Sequence, residues 1–265
     1  MELFGYFAAI LMGLSLGMIG GGGSILTVPI LVYLFKINPV MATAYSLFIV
    51  GLTSLIGGIF YLKKGEVDLK MGTLFAVPSF VGVYLTRAYV VPSLPEQMSL
   101  GPIEFSKALL IMMVFAVLMV AASVSMVVKR EPKKEKSQLS LGTRMTLIAF
   151  EGLIVGGITG FVGAGGGFLV IPALVVLVGL PMKIAVGTSL FIIAVKSLLG
   201  FVGDFQHQVG IDWQLLLTLS GIAALGLFIG VALSKKVSDQ SLKKGFGYFV
   251  LVMGLFVLVD QLRKF

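Results

Sequence analysis

Cysteine is absent from the 265-residue chain and histidine occurs once, at His207. Disulfides and thiolate metal sites are thereby excluded, and so is a His-cluster metal centre. Charge is scarce as well: charged residues make up 12% of the chain, against about 25% for a soluble domain. Met1-Glu2-Leu3-Phe4 has neither a basic n-region nor a small-residue cleavage site, so a removed signal peptide is not expected. No catalytic constellation is visible: Ser46 and Ser189 have no intramembrane histidine as base, and no acidic pair offers acid–base chemistry.

What the chain has is apolar sequence. Hydrophobic residues account for 58% of it and mean hydropathy is +1.07. The runs are continuous rather than alternating, which rejects a β-barrel, and many reach the roughly 20 residues that a spanning helix needs. The fold class expected is all-α, a polytopic helical membrane protein. Ten apolar segments are read, at 3–19, 25–37, 39–61, 69–91, 105–128, 145–162, 168–180, 183–203, 213–233 and 245–262. The second and seventh are too short to span and read as half-helices.

Two glycine runs organise these segments. Gly20-Gly21-Gly22-Gly23-Ser24 is matched by Gly163-Ala164-Gly165-Gly166-Gly167, and a proline follows each, Pro29 and Pro172. Consecutive glycines hold a helix poorly, at about 1 kcal/mol each relative to alanine, so the backbone is expected to open twice. Within a bilayer, open backbone survives only where it is buried in protein or lines a cavity. A nucleotide P-loop is excluded because no Gly-Lys-Ser/Thr follows either run, and no strand precedes them as a dinucleotide fold requires.

The runs belong to a longer repeat. An offset of 143 residues superposes Gly156 on Gly13, Gly160 on Gly17 and Pro172 on Pro29, and lays Ser189-Leu190-Phe191-Ile192 over Ser46-Leu47-Phe48-Ile49. The organisation expected is an N-terminal repeat at 1–128, a basic cytoplasmic linker at 129–144 and a C-terminal repeat at 145–265, five segments to each repeat. Cytoplasmic loops carry the excess of Lys and Arg. Lys63, Lys64 and Lys70 follow segment three, whereas the equivalent loop after segment eight, Asp204 to Asp212, has no Lys or Arg. The loop after segment four has none, whereas Lys235, Lys236, Lys243 and Lys244 follow segment nine. The repeats are therefore expected to be inverted, with both termini outside. Membrane topology accounts for the net charge of +8, and nucleic acid is not expected as a partner. Lys36, Arg263 and Lys264 fall on the opposite side from this pattern.

Inverted repeats with broken helices place substrates near the midplane. Segments one and two, and six and seven, are expected to form re-entrant hairpins whose glycine tips converge. Helix starts just after the tips would present free N–H groups to an anion. The candidate binding residues are Gly21, Gly22, Gly23, Ser24, Gly165, Gly166 and Gly167 at the tips, with Thr43, Tyr45, Ser46, Thr188 and Ser189 as walls. The alternative for the wall hydroxyls is bonding to their own helix carbonyls; isolated glycines such as Gly13 and Gly226 read as packing residues. Lys196 joins the candidates as an ionisable group inside a segment, snorkelling being the alternative. Arg87, nearer an end, reads as snorkelling. Glu151 could pair with a base or carry a proton, and His207 with Asp204 reads as a solvated loop pair.

The same residues resemble the sulfite exporter TauE/SafE family. The likeness is carried by Gly20 to Ser24 with Pro29 and Ala44-Tyr45-Ser46, and by Gly163 to Gly167 with Pro172 and Gly187-Thr188-Ser189. The resemblance implies a multi-pass transporter of a prokaryotic cytoplasmic membrane that exports a sulfur-containing anion such as sulfite or an organosulfonate. Ala164, and Ser24 opposite Gly167, make the two half-sites unlike. The function expected is secondary transport by alternating access, with a small anion and membrane lipid as partners, a homodimer as an assembly and no cofactor. An anion channel with the same site and no coupling is the alternative; a membrane enzyme or receptor subunit is disfavoured by the missing catalytic groups and soluble domain.

Overall fold

The computed structural model describes residues 2–100, 103–127, 141–205, 210–234 and 239–263. The linker at 129–144 falls largely outside them, as do His207, Lys235 and Lys236. The protein is a multi-pass helical membrane protein. Seven helical stretches among the described residues are long and apolar enough to cross a bilayer, and Gly247–Leu262 is a shorter apolar one. Large apolar side chains such as Phe7, Leu225 and Val252 are more than half exposed on the outer faces, where lipid tails are as apolar as they are.

The first stretch is not one span. Helix α1 (Glu2–Ile19) leads into a 3₁₀ segment, Gly20–Leu26, then α2 (Thr27–Pro29) and a π-helical turn, Ile30–Leu34. The return limb lies back along α1: Gly23 faces Leu16, the Thr27 hydroxyl donates to Met12 Sδ at 2.8 Å, and Tyr6 meets Phe35 ring to ring at 5.6 Å. This is a broken helical hairpin. The π turn follows Pro29, whose missing N–H and bulky ring disturb the helical ladder.

Lys36 ends the hairpin at φ +59, and Gly179, its counterpart at the 143-residue offset, does the same at φ +77. A left-handed backbone costs an L-residue about 1 kcal/mol or more, and glycine almost nothing. Lys36→Gly is therefore expected to raise the melting temperature by about 2 °C; a fall in a thermal unfolding scan would contradict the strain at this turn.

Helix α3 (Pro39–Lys63) starts on Asn38, whose side chain accepts from the Val40 N–H, with Pro39 at the first helical position. Helix α4 (Leu69–Leu85) starts on Asp68, which accepts from Met71 N–H, and continues through a π turn, Thr86–Val90, into α5 (Val91–Ser93). A two-stranded hairpin follows, β1 (Gln97–Leu100) antiparallel to β2 (Ile103–Ser106). These strands are four residues long, too short for alternation to register in the sequence, and the fold remains all-α in class. Then come α6 (Lys107–Val127), α7 (Leu141–Val162), α8 (Gly167–Ala173) with its π turn Leu174–Val178, α9 (Met182–Phe205), α10 (Trp213–Ser234) and α11 (Asp239–Leu262).

Close packing depends on glycine. On α1, Gly13 faces the Ala223 backbone and Gly17 that of Leu227, so α1 and α10 run parallel. On α7, Gly156 faces Ser79 and Gly160 faces Val83, so α7 runs parallel to α4. Small residues one turn apart let backbones touch, which is how helices associate where no hydrophobic force separates them from lipid. At the centre α3 and α9 cross antiparallel, Gly51 against Leu198 and Gly58 against Phe191. Helices α6 and α11 are also antiparallel, Gly254 by Met119 and Gly247 by Met126. The Tyr33 hydroxyl donates to Asp260 at 2.8 Å, so α11 ends beside the outer limb of the first hairpin.

Candidate functional site

The two glycine runs meet in the core of the bundle. A Cβ built on Gly21 would collide with the Gly167 Cα, and one built on Gly167 would collide with the Gly21 backbone. Gly165 lies against Ser24 and Val50, while Gly21 lies against Ile193, the residue equivalent to Val50. Gly20 to Ser24 and Gly163 to Gly167 are all buried. Each run also abuts the central helix of the other half: Gly163 touches Thr43 on α3, and Gly20 is packed by Val186 and Ser189 on α9.

The runs differ in conformation, which corrects the expectation of two equivalent breaks. Gly163 to Gly166 form open chain, with Gly163, Gly165 and Gly166 at φ +61 to +70. In the first run only Gly20 is left-handed, and the chain from Gly20 to Leu26 winds as 3₁₀ helix. One side chain distinguishes the two runs at equivalent places. Ser24 Oγ donates to Gly21 O at 2.7 Å, closing a turn three residues long, while Gly167 at the equivalent place has no side chain. A helix start just beyond the glycines therefore exists only at the second run, where α8 begins at Gly167.

Lys196 stands beside that second run. It is fully buried, and its Nζ donates to Thr159 Oγ1 at 3.0 Å. A Cβ on Gly166 would come within 2.8 Å of the same nitrogen. Among the described residues, Lys196 has no other polar partner and no carboxylate within ion-pair distance. It does not snorkel. Thr53 replaces it in the first repeat and only bonds its own helix, at Ile49 O, so the basic group belongs to one glycine run alone.

Arg87 was expected to snorkel and does not. Its side chain is fully buried. Nη1 donates to Thr43 Oγ1 at 3.0 Å and lies 3.4 Å from Asp204 Oδ1. Asp204 is likewise buried rather than solvated in a loop. Both residues sit near the ends of apolar segments, and a separation of 117 residues hides the pairing from any local reading.

The other candidates are distributed as follows. The Tyr45 hydroxyl accepts from Asp212 N–H at 2.7 Å, and Thr188 Oγ1 accepts from Asp68 N–H at 2.9 Å. Each thus ties a central helix to the residue that begins a helix of the other half. Ser189 and Thr43 donate to their own helices, at Val186 O and Val40 O. Ser46 is buried with its hydroxyl unpartnered, as are Ser54 and Ser197. Gly22 and Gly23 are buried, the latter against Ser15 and Leu16 of its own hairpin. Glu151 is half-buried with Oε2 unpartnered. Thr159 was missed by sequence reasoning, since a lone threonine in an apolar helix carries no signal until its neighbour is known.

Residues 6–257 match the family profile described as "Sulfite exporter TauE/SafE". A "Probable membrane transporter protein" of Xylella fastidiosa is 29% identical over 253 residues, covering 94% of this chain and 91% of its own. The "Probable membrane transporter protein YunE" of Bacillus subtilis is 28% identical over 271 residues, covering 88% and 90%. The "Probable membrane transporter protein MJ0441" of Methanocaldococcus jannaschii is 23% identical, covering 94% of both chains. No solved structure gives a significant match.

Proposed function

The chain belongs to the Sulfite exporter TauE/SafE family, and from that premise we propose that it exports a small sulfur-containing oxyanion, sulfite or an organosulfonate, by alternating access. The observation that carries this reading is Lys196, buried beside an open glycine run with no carboxylate among the described residues to neutralise it. A basic group in that position is stabilised when an anion enters, because taking an ion out of water is costly unless it is paired. Thr159 orients Nζ, and the glycines of the second run let a ligand approach the backbone without adding bulk.

The moving parts are two inverted five-segment repeats, 1–128 and 145–265, joined by the basic linker at 129–144. The packing supports the inversion. Equivalent helices α3 and α9 lie antiparallel, as do α6 and α11, while the pair α1–α10 is the counterpart of the pair α7–α4. Each hairpin is thus held by a helix of the other half, so the two halves interlock. Gly21 and Gly167 are in contact at the shared tip, so in this state the path between the halves is closed there. The Lys and Arg pattern supports a cytoplasmic linker with both termini outside, and the family supports the cytoplasmic membrane of a prokaryote as its place.

Reconstituted protein tests the reading. Sulfite or methanesulfonate efflux from liposomes should saturate with concentration and respond to an imposed ion gradient. Flux that rises linearly, as ionic conductance, would replace alternating access with a channel.

A further inference from the structure

Arg87 has work left over after its ion pair. A guanidinium has two donor edges: an end, Nη1 with Nη2, and a side, Nε with Nη2. Thr43 and Asp204 both take Nη1. Nε and Nη2 are buried and have no hydrogen-bond partner among the described residues. The whole side edge is therefore presented, desolvated, with nothing accepting from it. Leaving buried donors unpaired is costly, more so for a charged group. The edge is adjacent to the site by a shared neighbour: Thr43, which accepts from Arg87, is also the residue Gly163 packs against.

We propose that the Nε–Nη2 edge of Arg87 is a second anion-binding element, which takes two oxygens of a sulfonate, sulfite or carboxylate side by side. This rests on the anion-transport reading and narrows it, because a fork selects an oxyanion by geometry, where Lys196 supplies only a point charge. Asp204 holds the guanidinium by the opposite nitrogen and keeps the side edge turned to the ligand. The second repeat has Gly230 at the position 143 residues on from Arg87, so the oxyanion element, like the lysine, is present once. Both basic groups lie on the side of the second glycine run, and the substrate is accordingly bound off the pseudo-two-fold axis.

The test is calorimetric titration of nanodisc-embedded protein with methanesulfonate and with sulfite. Wild type is compared with Arg87→Lys, with the charge-neutral pair Arg87→Gln plus Asp204→Asn, and with Lys196→Met. Arg87→Lys keeps the charge and loses the fork; the neutral pair keeps a hydrogen bond across the α4–α9 contact, with melting near that of wild type. Both are expected to weaken methanesulfonate binding by about 30-fold or more. Wild-type affinity in either one, Arg87→Lys or the folded neutral pair, overturns the fork. If Lys196→Met alone loses binding in that case, the anion-transport reading stands without it. Wild type that binds neither anion brings down both.

Discussion

Lys196→Met is expected to make the protein more stable and nearly blind to its substrate: a melting temperature several degrees higher, and affinity for sulfite lower by about 100-fold. Methionine is close to lysine in length and flexibility but brings no charge into the core. Removing a buried basic group that lacks a carboxylate partner relieves a desolvation cost of several kcal/mol. Thr159, the one group it leaves behind, can turn its hydroxyl back to Gly156 O, which it already approaches at 3.3 Å. The loss of affinity follows from the same desolvation, since truncating one partner of a buried, hydrogen-bonded charge pair costs roughly 2–5 kcal/mol. Few substitutions separate the two quantities this way. A residue retained only for packing would show loss of stability, and a residue irrelevant to the ligand would show none in affinity. Unchanged sulfite affinity in a stabilised variant would remove the anion from this position.

Much of this architecture is legible in the chain because its signals are local or periodic. Helix starts at Asn38, Asp68 and Asp212 carry their capping side chains next to the helices they begin. The hairpins are announced by glycine runs followed by proline, since small residues and a missing N–H disrupt a helix wherever they occur. The repeat is visible because Ser46-Leu47-Phe48-Ile49 recurs in register with those breaks. What stays hidden depends on partners far away. Arg87 and Asp204 each look like a residue near a membrane surface until α4 and α9 are packed side by side. Tyr45 and Thr188 read as site walls, and their hydroxyls turn out to meet the backbone of Asp212 and Asp68 across the halves. Ser24 against Gly167 marks the runs as unlike, but a serine that bonds three residues back also occurs in ordinary helices here, so it does not foretell a 3₁₀ path.

Gly167→Ala should all but abolish transport while leaving the protein folded and in the membrane. Alanine is acceptable to the backbone of Gly167, the first residue of α8 and not among the left-handed glycines, so the effect is steric alone. Its Cβ would overlap the Cα, C and O of Gly21. None of these is the end of a flexible side chain, and carbon atoms rest at about 3.5–4 Å, so the hairpins must move apart. Overpacking of this kind costs about 3 kcal/mol, enough to disfavour the closed-tip state by roughly 100-fold. A carrier that must visit that state once per cycle slows in proportion. The fold survives because the hairpins are anchored elsewhere, α1 along α10 and α7 along α4, through glycines that the substitution does not touch. Gly221→Ala is the control, since a Cβ there meets nothing within 4 Å. Efflux from liposomes at the wild-type rate by Gly167→Ala would mean that the tips need not touch for turnover. Alternating access could then not depend on their contact, and the closed state would lie off the transport path.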